Sequence, residues 1–219
     1  MRLRALLFLC LLSGLFALSA TFASANRTIG PSCHRDGRGR LCLGVKIIAF
    51  ADPVSGRATL SPDNAVSDLR RVNSLWSQCG IGFQIDRYDV INPTTQNIAF
   101  AIANNEELTE IRSSFATDQS LLIVSTGRWN RKGSLGQTAA NAWTAMPGSA
   151  PYGAIVEQPV ITAPNIIAHE LGHYLSLPHV SDATDLMNPV IYTTSALLTA
   201  NQCDQARDTV ARYWSKMMR

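Results

Sequence analysis

Charge and histidine are both in short supply. Only 16% of the 219 residues are charged, against about a quarter in an average soluble domain. The signs nearly cancel: setting aside Arg2 and Arg4 from the nineteen basic side chains leaves seventeen against sixteen acidic ones. No basic stripe offers a footprint for phosphates, so no nucleic-acid partner is expected. Beyond residue 25 no stretch approaches 18 uninterrupted apolar positions, so no membrane-spanning segment and no membrane partner are expected. Glutamates number five, Glu106, Glu107, Glu110, Glu157 and Glu170, and none follows Glu170. Internal repeats, low-complexity tracts and linker-like stretches are lacking too, which argues against a divided chain.

What is there begins with a processing signal. Arg2 and Arg4 precede an apolar run from Ala5 to Leu18, and the small residues Ala23-Ser24-Ala25 follow. This is the pattern of a secretory signal peptide over residues 1–25, cut after Ala25, and it predicts a secreted or periplasmic protein. Residues 26–219 suffice for one domain with a sizeable core, expected to act as a monomer. They hold four cysteines, Cys33, Cys42, Cys79 and Cys203. An even count in an oxidising compartment suggests two disulfides, and the sequence leaves three pairings open. The favoured one joins Cys33 to Cys42 and Cys79 to Cys203. Asn26-Arg27-Thr28 also fits the glycosylation sequon.

Local patterns predict alternating strands and helices. "LGVKIIAFA" (43–51) reads as a strand. A helix should follow from Ser61 as N-cap and Pro62 at its first position to Gly80 as stop, with Val66, Leu69, Val72, Trp76 and Cys79 inward. "IGFQIDRYDVI" (81–91) alternates as a half-buried strand does. A second helix is expected over 105–116, and "SLLIVST" (120–126) reads as a buried central strand. Further strands are expected at 138–145 and 153–157. A helix beginning near Pro164 and a closing helix over 199–216 complete the reading.

Three of the four histidines fall in "HELGHYLSLPH" (169–179); the fourth, His34, reads as a loop residue. Residues four apart share a helix face, so His169 and His173 can offer nitrogens to one metal ion, with Glu170 beside them to take a proton from a metal-bound water. A chance H-E-x-x-H is expected in about one or two sequences of this composition per thousand, so further features must carry the case. A catalytic zinc needs a third protein ligand. The class of enzymes that uses a downstream glutamate is excluded, because none exists here. His179 is available instead, and Pro178 disfavours a continuing helix, so the chain must turn before it.

"HELGHYLSLPH", followed by Met187 in "DLMNPVIY", resembles the metzincin superfamily and, within it, the matrixins, whose pattern is H-E-x-x-H-x-x-G-x-x-H with a methionine turn. The likeness is strong over 164–217 and only architectural before. It implies an α+β fold: a twisted mixed sheet of five strands, an active-site helix beneath it, and two subdomains, 26–175 and 176–219, the second ending in a helix. It implies a zinc-dependent endopeptidase with His169, His173 and His179 on one catalytic zinc, Glu170 as general base and Met187 as the apolar floor. Pro189 to Tyr192 would wall the pocket for the residue after the scissile bond, and Asn165 would shape its depth. A protein or peptide substrate would lie extended along the strand at 138–145. Calcium sites are possible but not indicated, since carbonyl and Asp ligands leave little trace in a sequence. Two departures stand out: Ser176 replaces the family's turn glycine, and Cys33 in "PSCHRD" only echoes the family's inhibitory propeptide cysteine, a disulfide being the favoured fate. The alternative reading is a non-catalytic zinc-binding adhesion or interaction module on the same scaffold.

Overall fold

The computed structural model describes residues 29–33, 40–163 and 165–219; the expected signal peptide, the Asn26 sequon, His34 and Pro164 lie outside them. Strand β1 (Leu41–Phe50) is buried along most of its length. Helix α1 (Pro62–Trp76) starts where Ser61 accepts from the Asn64 amide, and it buries Ala65, Leu69, Val72 and Trp76. A 3-10 turn (Ser77–Cys79) then leads to Gly80, whose φ of 65° ends the helical path in the left-handed region. Strand β2 (Ile81–Ile91) is buried in its first half only. Helix α2 (Asn105–Phe115) is capped by Asn104, which accepts from Glu107, while the Glu107 carboxylate accepts from the Ala103 amide. Strands β3 (Leu121–Thr126), β4 (Ala142–Thr144) and β5 (Ala154–Glu157) follow. Helix α3 (Ile166–Tyr174) carries the histidines, and α4 (Ala200–Tyr213) opens with a reciprocal Thr199–Gln202 capping box.

The five strands form one sheet in the order β2-β1-β3-β5-β4, with β4 antiparallel and every other pair parallel. This is the mixed five-stranded α+β architecture expected. Its two faces are covered differently. Leu121, Ile123, Ala154 and Val156 pack with α1 and α3 on one face. Leu122, Val124 and Ile155 pack on the other with Leu108, Ile111 and Phe115 of α2. Cover on both sides explains why β3 is buried at all six positions and shows no alternation. Of the stretch expected as a strand at 138–145, Ala142–Thr144 forms strand β4; a 3-10 turn runs to Thr138 and Ala139 follows at φ 56°, which delays the start of the strand. Both disulfides form in the favoured pairing, Cys33–Cys42 and Cys79–Cys203; the second ties the end of α1 to α4.

Candidate metal centre

Helix α3 has only nine residues, and eight of them are buried. So short a helix is held by packing and not by propensity, and large side chains from three directions fix it. Trp76 of α1 donates its indole N–H to Ala168 O, and Trp214 at the end of α4 donates to Tyr174 O. The Tyr174 hydroxyl both donates to Leu122 O and accepts from Leu122 N on the central strand. At the start of the helix, Asn165 sits at φ 70°. Its side chain accepts from Arg71 Nε and donates to Ser195 O, so it joins α1, α3 and the loop before α4.

The helix ends in a backbone lock. Leu177 N donates to Gly172 O and Ser176 N to His173 O, the paired bonds of a Schellman turn, with Ser176 at φ 64°. The chain then doubles back and delivers His179 to the other two histidines. His169 Nε2 and His173 Nε2 lie 3.3 and 3.1 Å from His179 Nε2. His169 Nδ1 contacts Leu186 O at 2.7 Å and His173 Nδ1 contacts Leu177 O at 2.8 Å. A carbonyl only accepts, so each Nδ1 carries the proton and each Nε2 keeps its lone pair turned inward. Burial, reinforced by the neighbouring imidazoles, pushes His169 and His173 down to about 4; burial lowers His179 as well. All three are therefore neutral at neutral pH, as metal ligands must be.

The donor set fits zinc. Tetrahedral Zn–N bonds of about 2.05 Å place ligand nitrogens about 3.3 Å apart, and the separations from His179 match that edge. Among the described residues this is the one cluster of three or more ligating side chains.

Glu170 lies beside the triad and is 4% exposed. Complete burial pushes its carboxyl up to about 7, against the pull of the Thr144 hydrogen bond and the Arg112 charge. Thr144 Oγ1 donates to Glu170 Oε2 at 2.5 Å. Both line a cleft of about 640 Å³ together with the three histidines.

The cleft is bordered by the edge strand. Asn141 O accepts from Glu157 N, Ala145 N donates to Gly153 O, and Trp143 pairs with Ile155. By antiparallel alternation, the backbone groups of Ala142 and Thr144 face the open edge. Two arginines hold this strand. Arg131 donates to Ala140 O and to Asn141 Oδ1 and pairs with Glu157. Buried Arg112 of α2 donates to Trp143 O and Gly153 O.

Of the residues named from sequence, the structure brings His169, Glu170, His173, His179 and Pro189 to the cleft. Met187 is fully buried beneath, its sulfur packed so closely on Gly172 that an added Cβ there would clash with it. Asn165 and Tyr192 are not among the residues bordering the cleft; Asn165 is turned into its own network and Tyr192 is about half exposed. Of the expected 189–192 wall, Pro189, Val190 and Ile191 do line the cleft, joined by Val160, Ala163 and Ile166. Cys33, being disulfide-bonded, has no thiol for the metal. Thr144 and Arg112 were not singled out from sequence, since nothing in the spacing links residues 26 and 58 positions from Glu170 along the chain.

The family model described as Matrixin matches residues 60–208, more than half of the chain. Among curated proteins no sequence matches. Metalloproteinase-II from Bacteroides fragilis superposes with a TM-score of 0.52 at 15% identity, over 85% of this chain and 59% of that one. A protein in a chaperone-substrate complex superposes with a TM-score of 0.54 at 9% identity, over 83% of this chain and 36% of that one. The chain thus spans less than two thirds of either structure, and at such identities they report on the fold alone.

Proposed function

The chain belongs to the matrixin family, and from that premise we propose that it is a secreted zinc-dependent endopeptidase cutting extended protein or peptide substrates. The observation that carries this reading is the convergence of three imidazole Nε2 atoms beside a buried carboxylate in one open cleft. His169, His173 and His179 would hold the metal. Bound there, zinc would supply a Lewis acid that lowers the pKa of a water towards about 7 and polarises a carbonyl oxygen.

The chain's own residues do the rest. The open backbone edge of Ala142 and Thr144 pairs with the substrate main chain and sets its register. Ile166, Val160, Ala163 and Ile191, with Pro189, form a wall without charge, suited to an apolar side chain after the scissile bond. Glu170, raised towards neutrality by burial, takes a proton from the attacking water and passes it to the leaving nitrogen. The apolar run at residues 5–18, followed by Ala23-Ser24-Ala25, supports export.

The test is cleavage of a quenched peptide library by residues 26–219, with bound zinc measured in parallel. Chelator-sensitive cleavage and about one zinc per chain are expected. Glu170→Ala should lose activity by about a hundred- to ten-thousandfold while retaining its zinc. Full activity in that variant would remove the proposed base; stoichiometric zinc with no cleavage by the parent chain would favour the binding-module alternative.

A further inference from the structure

Glu170, read above as the general base, is contacted by the open edge strand β4. Thr144 is a buried residue of β4, and its hydroxyl donates to Glu170 Oε2 at 2.5 Å. The same residue presents its backbone to the open edge, because the flanking residues 143 and 145 face β5. Its place along the sheet is fixed twice over. It pairs with Ala154, and Arg112, reaching across from α2, donates to the carbonyls of Trp143 and Gly153 on either side of that pair.

A carboxylate on a two-carbon stem has a χ3 torsion that is broad and weakly two-fold. Left alone, it would rotate past the direction useful for proton transfer. One fixed donor removes that freedom, since a hydrogen bond to an ionised oxygen is among the stronger neutral-to-charged contacts. With Oε2 committed to Thr144, Oε1 is the oxygen left to meet the water.

Resting on the reading of Glu170 as base, we propose that Thr144 is a positioning residue: its hydroxyl orients the Glu170 carboxylate and couples that orientation to the edge strand on which the substrate lies. The coupling is direct. Because β4 is held in register, the donor that orients the carboxylate and the backbone edge offered to the substrate keep one fixed relation to each other.

Thr144→Val removes the hydroxyl and keeps the branched shape; Thr144→Ser restores a hydroxyl without the methyl group. Both are compared with the parent chain and Glu170→Ala by steady-state kinetics, zinc content and thermal midpoint. A second readout is independent of activity: 13C NMR of the glutamate carboxylates, of which there are five, with Glu170 assigned through Glu170→Gln. The Val variant should lose about ten- to a hundredfold in kcat, the scale of a misaligned catalytic group, with KM within about threefold and zinc unchanged. Its Glu170 signal should move. The Ser variant should keep kcat and the signal near the parent values. An unmoved signal in the Val variant would refute the contact. Parent-like kcat in that variant, or a loss expressed in KM and thermal midpoint that Ser does not rescue, would refute the positioning role. Failure of the endopeptidase reading looks different: the parent chain itself would cleave nothing, and the catalytic role of Thr144 would fall with it.

Discussion

Ser176→Gly should stabilise the protein. Ser176 sits at φ 64°, at the position after the α3 C-cap, where the Schellman turn calls for left-handed backbone. An L-residue there costs roughly 1 to 2 kcal/mol. Glycine removes that cost but loses more conformational freedom on folding, by roughly 0.5 to 1 kcal/mol. The interactions that lock the turn survive the exchange, because Ser176 N, Leu177 N and the Ser176 carbonyl that accepts from Gln205 are all backbone groups. The net gain is therefore about 0.5 to 1 kcal/mol. For a domain of this size each kcal/mol moves the midpoint by roughly 2 to 4 °C, so a rise of about 1 to 4 °C is expected. The assay is thermal unfolding with both disulfides intact. Parent and variant must both be zinc-loaded or both be chelated, since metal binding alone shifts the midpoint. Peptide cleavage should be unchanged, because His179 arrives by the same path. A lowered midpoint would refute the argument and would mean that the serine side chain stabilises the turn by more than its backbone strain costs.

Two other perturbations test the frame around the site. Replacing Cys79 and Cys203 together by serine opens a bridge of sequence separation 124, whereas replacing Cys33 and Cys42 opens one of 9. Loop-closure entropy assigns about 5 and about 3 kcal/mol respectively, so urea midpoints should fall further for the first pair; the reverse order would refute the chain-entropy account. Burial, only partly offset by the Arg71 cation, pushes Asp68 up to about 6. The folded state then holds an extra proton above the ordinary carboxyl range, so this group's contribution is present at low pH and is lost as pH rises from about 4 through about 6. Asp68→Asn should be more stable at pH 7 by about 1 kcal/mol, a figure discounted for solvent screening of a half-exposed group. It should match the parent at pH 4. A variant less stable than the parent at pH 7 would refute the sign.

What the sequence revealed was local. Ser61, Pro62 and Gly80 bracket α1 because capping chemistry acts within a few residues. The 169–179 motif is legible for the same reason: two histidines four apart on a helix and a third beyond a proline that disfavours a longer helix need no knowledge of the rest of the chain. What stayed hidden depends on pairing at a distance. The face of the sheet that α2 covers cannot be read from β3, whose unbroken apolar run fits cover from either side. The fate of Asn165 depended on Arg71, 94 residues earlier, and on Ser195, 30 residues later. Thr144 lies in a stretch of Gly, Ala, Asn, Ser and Thr that carries no periodicity, so its hydroxyl could not be assigned a partner.

The orientation of the three histidines also depends on more than α3. Spacing places His169 and His173 on one face, yet the carbonyls that turn their lone pairs inward, Leu186 O and Leu177 O, belong to the chain after the helix. Leu186 is placed in turn by Leu197 O, Met187 by the Asp185 carboxylate, and Asp185 by Gln202 of α4. The Cys79–Cys203 bridge anchors that helix to the end of α1. Helix α3 alone therefore supplies the right residues with the wrong freedom. The lone pairs are turned inward by carbonyls of residues 177 and 186, so metal binding at the three histidines would stabilise the docking of that segment on α3. On this account residues 177–219 orient the three histidines, while the sheet holds the Glu170 carboxylate and the open edge, and the proposed chemistry of the cleft requires both parts in place.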